Sequence, residues 1–377
     1  MTTPAQAHAF RHADRLLAEI LEVVSIESPS HDSRCVNRAV DWVENQLQRA
    51  GVPTTRVRQT AAGDQLIARL GNAQRRTLLL GHVDTVWDEG QLSRMPVRVE
   101  QGKAYGPGIF DMKAGVVLMV ELFRMAAQQV CSFGTGLVAF FNSDEEAGSK
   151  TSRAILEELA LECGQVFVFE PSLPGGRVKT FRKGVGSYRL EILGKAAHAA
   201  IDPAAGISAI EEFAHQVFSI QSIVAAYPNC TVNIGVVRGG TRSNVVPELV
   251  EAEIDVRLGS VLDGEAIGRR LHALPPHLPG AIVRVTGGIN RPPLERSAGV
   301  VRLFEEAAAV AALQGWSLQE GATGGGSDGS FSAALGVSTL DGLGPDGDGA
   351  HAIEEHIVVE DVPRRLALAA GLLERLR

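Results

Sequence analysis

The heptapeptide LLLGHVD, residues 78–84, decides how the rest of the chain is interpreted. Three consecutive leucines predict a strand that is covered on both faces, because continuous apolar runs are typical of such strands. The strand ends with a histidine and an aspartate two residues apart, His82 and Asp84. Functional groups of open α/β sheets gather beyond the carboxyl ends of the strands, so this pair is a candidate ligand pair.

Two further apolar runs end in the same way. The run LVAFF, residues 137–141, precedes a polar segment that contains Glu145 and Glu146. The run VFVF, residues 166–169, precedes Glu170. Because strand ends of this kind meet at one edge of a sheet, we expect all of these polar groups to lie close together.

Helices are predicted around these strands from apolar residues at helical spacing. They cover residues 16–24, 36–47, 116–125, 300–313 and 362–376, and a further strand is expected at 337–340. This alternation is typical of the α/β class.

From Gly184 onward the pattern changes, because apolar and charged residues alternate strictly over 250–258. Such alternation predicts an antiparallel strand with one solvent-exposed face. The order of elements in this part is strand, helix, strand, strand, helix, strand, which is the ferredoxin-like β-α-β-β-α-β order. We therefore expect a discontinuous catalytic domain of residues 1–182 and 291–377, with an inserted α+β domain of residues 183–290.

The bulk properties exclude several classes of function. The 377 residues carry a formal net charge of −8, and the sequence pI is about 5.7. An acidic chain has no general attraction for nucleic acid or for an anionic membrane surface. The N-terminus has no basic segment followed by an apolar one, and no run approaches the about 20 apolar residues of a membrane span. We expect a cytoplasmic protein with no nucleic-acid or membrane partner.

Two more ionisable residues belong with the strand-end groups, Asp111 in GPGIFDMKAG and His351 in GPDGDGAHA. Two histidines and several carboxylates without thiolates suit Zn²⁺ or another first-row divalent ion. Several acids in one cleft would repel one another unless cations were present. Two metal ions about 3.5–4 Å apart, bridged by one carboxylate, would remove that repulsion and provide hydrolytic chemistry.

Seven motifs then occur in a recognisable order: GHVDTV, GPGIFDMKAG, NSDEEAGS, VFEPS, LGKAAHAA, RGGTRSNVVP and GPDGDGAHA. Their order and spacing resemble those of the co-catalytic di-metal peptidase and deacylase family. That family contains aminoacylases, acetylornithine deacetylases and succinyl-diaminopimelate desuccinylases. The motifs are most similar to those of its bacterial folate-hydrolysing glutamate carboxypeptidases, and the similarity covers nearly the whole chain.

The resemblance implies a di-metal site with two divalent ions, for which zinc is the expected metal and cobalt or manganese are alternatives. Asp111 would bridge the ions, His82 and Glu170 would complete one of them, and Glu146 and His351 would complete the other. The resemblance also implies a zinc-peptidase-like mixed sheet in the catalytic domain.

The resemblance implies roles for residues beside the ligands as well. Glu145 would act as general base next to a metal ligand. Asp84 would orient the imidazole of His82 through a hydrogen bond. The peptide bond between Asp111 and Met112 would be cis.

Further site residues are implied in the inserted domain and at its border. His198 and Asn244 would donate hydrogen bonds to the reacting carbonyl oxygen, often from the partner subunit. Arg291 and Arg257 would bind a substrate carboxylate, which a guanidinium can clamp bidentately. Relatives usually have glycine where this chain has Ala200.

The substrate class follows from Glu170, because relatives that cleave amino-terminal residues usually have aspartate there. A glutamate resembles carboxypeptidases and deacylases, so we expect hydrolysis of an amide whose product is an amino acid with a free α-carboxylate. The substrate would be a small peptide or an N-acyl amino acid. A glutamate carboxypeptidase and an N-acyl amino-acid deacylase remain alternatives. Relatives dimerise through the inserted domain, which predicts a homodimer.

Each motif alone also has an ordinary structural explanation. His82 could be a hydrogen-bonded core histidine, Asp111 could be a helix N-cap, and Glu145 and Glu146 could form a solvated turn. Arg257 lies on an alternating strand face that needs charged residues regardless. A binding protein without metals on the same scaffold would lack a ligand or the base, and this chain has all of them.

Overall fold

The structure is a computed structural model that describes residues 3–71 and 75–376. The chain divides into two compact units. The first unit comprises Met1–Phe181, Arg296–Ala322 and Ser327–Arg377, and the second comprises Arg182–Glu295 and Thr323–Gly326.

The helices and strands of the described residues are numbered here in chain order. The helices are α1 (Pro4–Arg11), α2 (Ala13–Val24), α3 (Ser33–Arg49), α4 (Ala114–Ala127), α5 (Arg153–Cys163), α6 (Ala209–Ala225), α7 (Val261–His272), α8 (Ala298–Leu313), α9 (Gly329–Ala334) and α10 (Asp361–Arg375). The strands are β1 (Thr54–Val57), β2 (Gln65–Leu70), β3 (Arg76–His82), β4 (Arg98–Glu100), β5 (Lys103–Tyr105), β6 (Gly136–Asn142), β7 (Gln165–Val168), β8 (Val178–Arg182), β9 (Gly184–Leu193), β10 (Thr231–Gly239), β11 (Leu249–Leu258), β12 (Ile282–Arg291), β13 (Glu320–Thr323), β14 (Ser338–Leu340), β15 (Gly347–Asp348) and β16 (His356–Val358).

A six-stranded mixed sheet forms the centre of the first unit, in the order β1-β2-β6-β3-β7-β14. Strands β6, β3, β7 and β14 are parallel, whereas β2 and β1 are antiparallel to their neighbours. Leu79 packs into the hydrophobic cluster that includes α4, and Leu78 and Leu80 pack with α5 on the opposite face. The prediction of a strand covered on both faces is therefore confirmed.

A second, four-stranded sheet of this unit has the order β15-β16-β5-β4. Strand β16 pairs with β5, so that His356 lies opposite Tyr105. This pairing brings the turn that follows His351 beside the segment that leads to Asp111. The sequence patterns did not predict this sheet.

The second unit contains one antiparallel sheet in the order β10-β11-β9-β12. Helices α6 and α7 pack on one of its faces, and their apolar residues form a single core with the inward side chains of the strands. The ferredoxin-like element order is confirmed, and with it the predicted α/β fold class with an inserted α+β domain.

The borders of the two units differ from the expected ones. Arg291, which we placed in the catalytic domain, ends β12 and pairs with Val185 of β9 in the second unit. The segment 323–326 also belongs to the second unit, because the Lys183 N–H donates to the Thr323 carbonyl and the Arg182 guanidinium donates to the Gly326 carbonyl. Among the helices of the described residues, none is long and apolar enough to cross a membrane.

Candidate metal centre

The carboxyl end of β3 places His82 at the edge of the mixed sheet, opposite Asn142 of β6. The imidazole is 2% exposed, and its Nδ1 donates to the backbone carbonyl of Asp84 at 2.9 Å. Because Nδ1 is occupied in this way, Nε2 is the nitrogen that faces the other candidate ligands.

The carboxylate of Asp84 has a different main contact from the one implied by the resemblance. It lies 3.4 Å from Nδ1 of His82, which is longer than the bond of the same nitrogen to the carbonyl. Asp84 instead accepts hydrogen bonds from the Ser30 hydroxyl at 2.6 Å and from the backbone N–H groups of Glu145 and Glu146 at 3.2 and 3.1 Å. The buried carboxylate therefore fixes the backbone that carries these two glutamates.

Asp111 lies in a turn, Ile109–Lys113, that precedes α4. Gly108 before the turn has a φ of 72°, a conformation that glycine adopts without steric cost. The peptide bond between Asp111 and Met112 is cis, as the resemblance implies. This turn directs the Asp111 carboxylate between two histidines.

Five predicted ligands converge in the first unit. Nε2 of His82 lies 3.3 Å from Oδ1 of Asp111 and 3.6 Å from Oε1 of Glu170. Nε2 of His351 lies 3.5 Å from Oδ2 of Asp111 and 3.2 Å from Oε1 of Glu146. Each oxygen of one aspartate thus faces a different histidine, as expected of a carboxylate that bridges two ions.

The spacing of these atoms fits a pair of metal ions. With metal–ligand bonds of about 2.0–2.1 Å, neighbouring donors of a tetrahedral zinc site are about 3.3 Å apart. The four nitrogen–oxygen distances lie between 3.2 and 3.6 Å, and ligand atoms of His82, Asp111 and Glu146 all lie within 4.8 Å of one another. The donor set is imidazole and carboxylate, which first-row divalent ions prefer.

The electrostatics of the cluster favour cations. Burial opposes protonation of His82, but its contacts with Asp111, Asp84 and Glu170 outweigh burial and raise its pKa well above the usual value. Hydrogen bonds with Asp111 and Glu146 raise the pKa of His351 to about 10. Without a metal ion, the acids therefore draw protons onto both histidines.

Sequence patterns missed Glu355, a fully buried residue four positions after His351. Its carboxylate accepts hydrogen bonds from the backbone N–H groups of Gly108, Phe110 and Asp111. Burial raises its pKa despite these bonds. The only sequence signal was an acid in a fixed position after the histidine of GAHAIEEH.

The second unit places His198 and Asn244 side by side. The Ala199 N–H donates to the Asn244 carbonyl at 3.0 Å, and His198 forms an isolated bridge with Val245. Nδ1 of the exposed His198 accepts from the N–H groups of Ala200 and Ile201, both at 3.2 Å. In the neutral ring the proton therefore lies on Nε2, which leaves a donor available.

Ala200 does not disturb this loop. Its φ is not in the left-handed region, so the position does not require glycine.

The two predicted carboxylate-binding arginines differ in their surroundings. Nε of Arg257 is paired with Asp255 at 2.8 Å, and its Nη1 donates to the Gly324 carbonyl. Arg291 is 6% exposed at the end of β12, and its side chain lies beside Gly326. Arg257 thus pairs with an acid on its own strand.

Comparisons with known proteins identify the family of this chain. Residues 78–375 match the model of peptidase family M20/M25/M40. Carboxypeptidase G2 of Pseudomonas sp. (strain RS-16) is 32% identical over 361 residues, which cover 93% of this chain and 87% of that protein. Succinyl-diaminopimelate desuccinylase of Delftia acidovorans is 29% identical over 318 residues, covering 78% and 80%.

Solved structures share the fold. A tripeptidase from Staphylococcus aureus has a TM-score of 0.77 at 20% identity, covering 96% of this chain and 98% of that one. The YXEP protein of Bacillus subtilis, described as a dinuclear metal binding peptidase, has a TM-score of 0.68 at 15% identity, covering 96% and 98%.

Proposed function

This chain belongs to peptidase family M20/M25/M40, and on that premise we propose that it is a di-metal hydrolase that releases a C-terminal amino acid, glutamate above all, from an amide bond. The observation that carries the proposal is the Asp111 carboxylate, whose two oxygens face His82 and His351 separately. The similarity to carboxypeptidase G2 over 93% of the chain supports the carboxypeptidase assignment.

Two divalent ions, with zinc as the expected metal, would be bound by this chain. His82 and Glu170 would bind one ion, Glu146 and His351 the other, and Asp111 both. When bound, such ions polarise the scissile carbonyl and lower the pKa of water to near 7.

Glu145 is the proposed general base. It would accept a proton from the attacking water and then donate it to the leaving amine. Its backbone N–H is bonded to Asp84, and the adjacent Glu146 is held by the same carboxylate. One buried acid thus fixes the base and a metal ligand relative to each other.

His198 is the proposed donor to the developing oxyanion, since its Nε2 carries the proton and its Nδ1 is bonded to its own loop. Asn244 would donate beside it. Arg291 would bind the α-carboxylate of the released amino acid, and Arg257 would assist it.

A homodimer formed by the second unit is part of the proposal. Helix α6 and the edge strand β10 expose large apolar side chains: Phe218 is 71% exposed, Val237 54% and Ile210 48%. Apolar residues beside an unpaired strand edge are typical of a surface that a second copy covers. Sedimentation of the active enzyme as a monomer would contradict this assembly. A cytoplasmic location stays a prediction.

An N-acyl amino-acid deacylase is the second candidate, because desuccinylase and deacetylase relatives also match. Both candidates predict a free carboxylate on the product and differ in the acyl group. The test is an assay of the zinc-loaded protein on pteroyl-glutamate, N-acyl-glutamates, N-acetylornithine and N-succinyl-diaminopimelate. We expect the highest kcat/KM on a glutamate amide, whereas turnover of the last two alone would favour the deacylase.

A further inference from the structure

Glu355 is a buried carboxylate with an unusual set of partners. Oε1 accepts from the N–H groups of Phe110 and Asp111, both at 3.0 Å. Oε2 accepts from the N–H of Gly108 at 2.9 Å and from the indole Nε1 of Trp87 at 2.8 Å. All four donors are neutral, and among the described residues Glu355 has no ion-pair partner within 4.0 Å.

These donors belong to separate parts of the candidate centre. Trp87 lies five residues after His82, and the three amides belong to the turn that carries Asp111. Glu355 itself follows His351 by four residues and is connected to it by a turn in which the Glu355 N–H donates to the Ala352 carbonyl. One carboxylate thus joins three chain segments that carry candidate ligands.

Packing alone does not explain why the Glu355 carboxylate is buried. Removing a carboxylate from water costs several kcal/mol, and the four neutral donors together with the more distant charge of the buried Lys113 offset only part of that cost. The amides of Gly108, Phe110 and Asp111 would otherwise lack acceptors at the start of their turn, as the first N–H groups of helices do. Glu355 provides the acceptor from a distant part of the sequence.

We propose that Glu355 is a positioning residue of the metal centre, which fixes the turn of Asp111 relative to His82 and His351 and thereby sets the affinity for the metal ions. Glu355 is not among the proposed ligands, so it acts through the backbone. Because this role depends on the metal centre proposed above, its test begins with metal binding by the unaltered protein.

The decisive variant is Glu355→Gln, which keeps the shape of the side chain but places an NH₂ group opposite N–H donors. The matched control is Glu354→Gln, since Glu354 is adjacent, chemically identical and exposed. Zinc affinity is measured by competition with a chromophoric chelator, and kcat and KM are measured separately on the best substrate. The thermal midpoint of the metal-free proteins reports any purely structural loss.

We expect Glu355→Gln to weaken zinc binding about 10- to 100-fold and to lower kcat at limiting zinc, while KM changes less than about twofold. Glu354→Gln should match the unaltered protein in every measurement. If Glu355→Gln lowers only the thermal midpoint and binds zinc with unaltered affinity, the proposed role is wrong.

A second variant covers the case in which Glu355→Gln does not fold. Trp87→Phe removes one of the four donors and leaves the carboxylate in place, so zinc affinity should fall several-fold without loss of the fold. Unaltered affinity in Trp87→Phe would then overturn the role. Failure of the unaltered protein to bind zinc would contradict the proposed function itself, which separates the two failures.

Discussion

Two clusters of ionisable residues in the first unit each centre on one carboxylate, and they differ in the source of the positive charge around it. Glu121 on α4 is fully buried and accepts from Arg15 at 2.7 Å, from Arg124 at 2.5 Å and from His8 at 2.7 Å. The Asp111 carboxylate lies 3.3 Å from His82 and 3.5 Å from His351, and the charge of Lys179 also stabilises it.

The partners of each carboxylate distinguish a structural acid from a candidate metal ligand. Charge-assisted hydrogen bonds of 2.5–2.7 Å surround Glu121, so side chains of the protein neutralise that carboxylate. Around Asp111 the contacts to the two histidines are longer, at 3.3 and 3.5 Å, and match the spacing of neighbouring donors around a metal ion. Cationic side chains of the protein thus neutralise Glu121, whereas the imidazoles and carboxylates around Asp111 form a donor set that suits a divalent metal ion.

Substitutions in the two clusters should differ most in their effect on kcat. Glu145→Gln removes the proposed base beside the metal centre, and we expect kcat to fall about 10²- to 10⁴-fold because proton transfer is lost. Glu121→Gln should change kcat by less than about twofold. Steady-state kinetics at saturating zinc give both values, and full turnover by Glu145→Gln would remove this residue from the mechanism.

Metal removal should affect stability only through the centre at Asp111. At a free zinc concentration 100 times Kd, binding stabilises the folded state by about 2.7 kcal/mol. Chelation should therefore lower the thermal midpoint of the unaltered protein and of Glu121→Gln alike. Asp111→Asn should show almost no shift, and an equal shift in that variant would place the bound metal elsewhere.

Stability without metal should depend on the Glu121 cluster instead. Glu121→Gln leaves Arg15 and Arg124 without their buried partner, and we expect a loss of about 1–3 kcal/mol in the free energy of unfolding. Denaturant unfolding of the metal-free protein measures it. An unchanged unfolding free energy would mean that the arginines find other acceptors.

The smallest effect should be a pH dependence of that same stability. Burial disfavours the ionised form of Glu121, but the hydrogen bonds from Arg15 and His8 outweigh burial and lower its pKa below the ordinary 4.5. A lowered pKa adds stability that is fully present above the ordinary value and is lost as the pH falls through the folded-state pKa. The stability difference between the unaltered protein and Glu121→Gln should thus shrink below pH 4.5, as unfolding curves at pH 3–7 would show.

The sequence predicted those parts of the fold that have a clear periodicity. Continuous runs such as 78–80 and the alternation over 250–258 correspond to β3 and β11. The short strands β4 and β5 escaped prediction, because three-residue elements with exposed side chains, as in Arg98–Glu100, have no periodic signal. Residues 323–326 joined the second unit through hydrogen bonds to Arg182 and Lys183, which no local pattern encodes.

The candidate site also contains residues with a clear sequence signal and residues without one. His82 and Glu170 could be found because each follows an apolar strand. Asp111 and His351 follow no such run, and their roles as bridging and terminal ligands came from the resemblance to a family. Glu355 could not be found from periodicity, because its burial depends on the pairing of β16 with β5 and on amides far away in sequence.

An anomalous difference map from crystals grown with zinc, recorded at the zinc absorption edge, would show whether Asp111 bridges two metal ions. We predict two peaks about 3.5–4 Å apart on either side of the Asp111 carboxylate, one contacting His82 and Glu170 and the other Glu146 and His351. A map with no peak beside Asp111, or with peaks that contact neither histidine, would contradict a di-metal centre at this carboxylate.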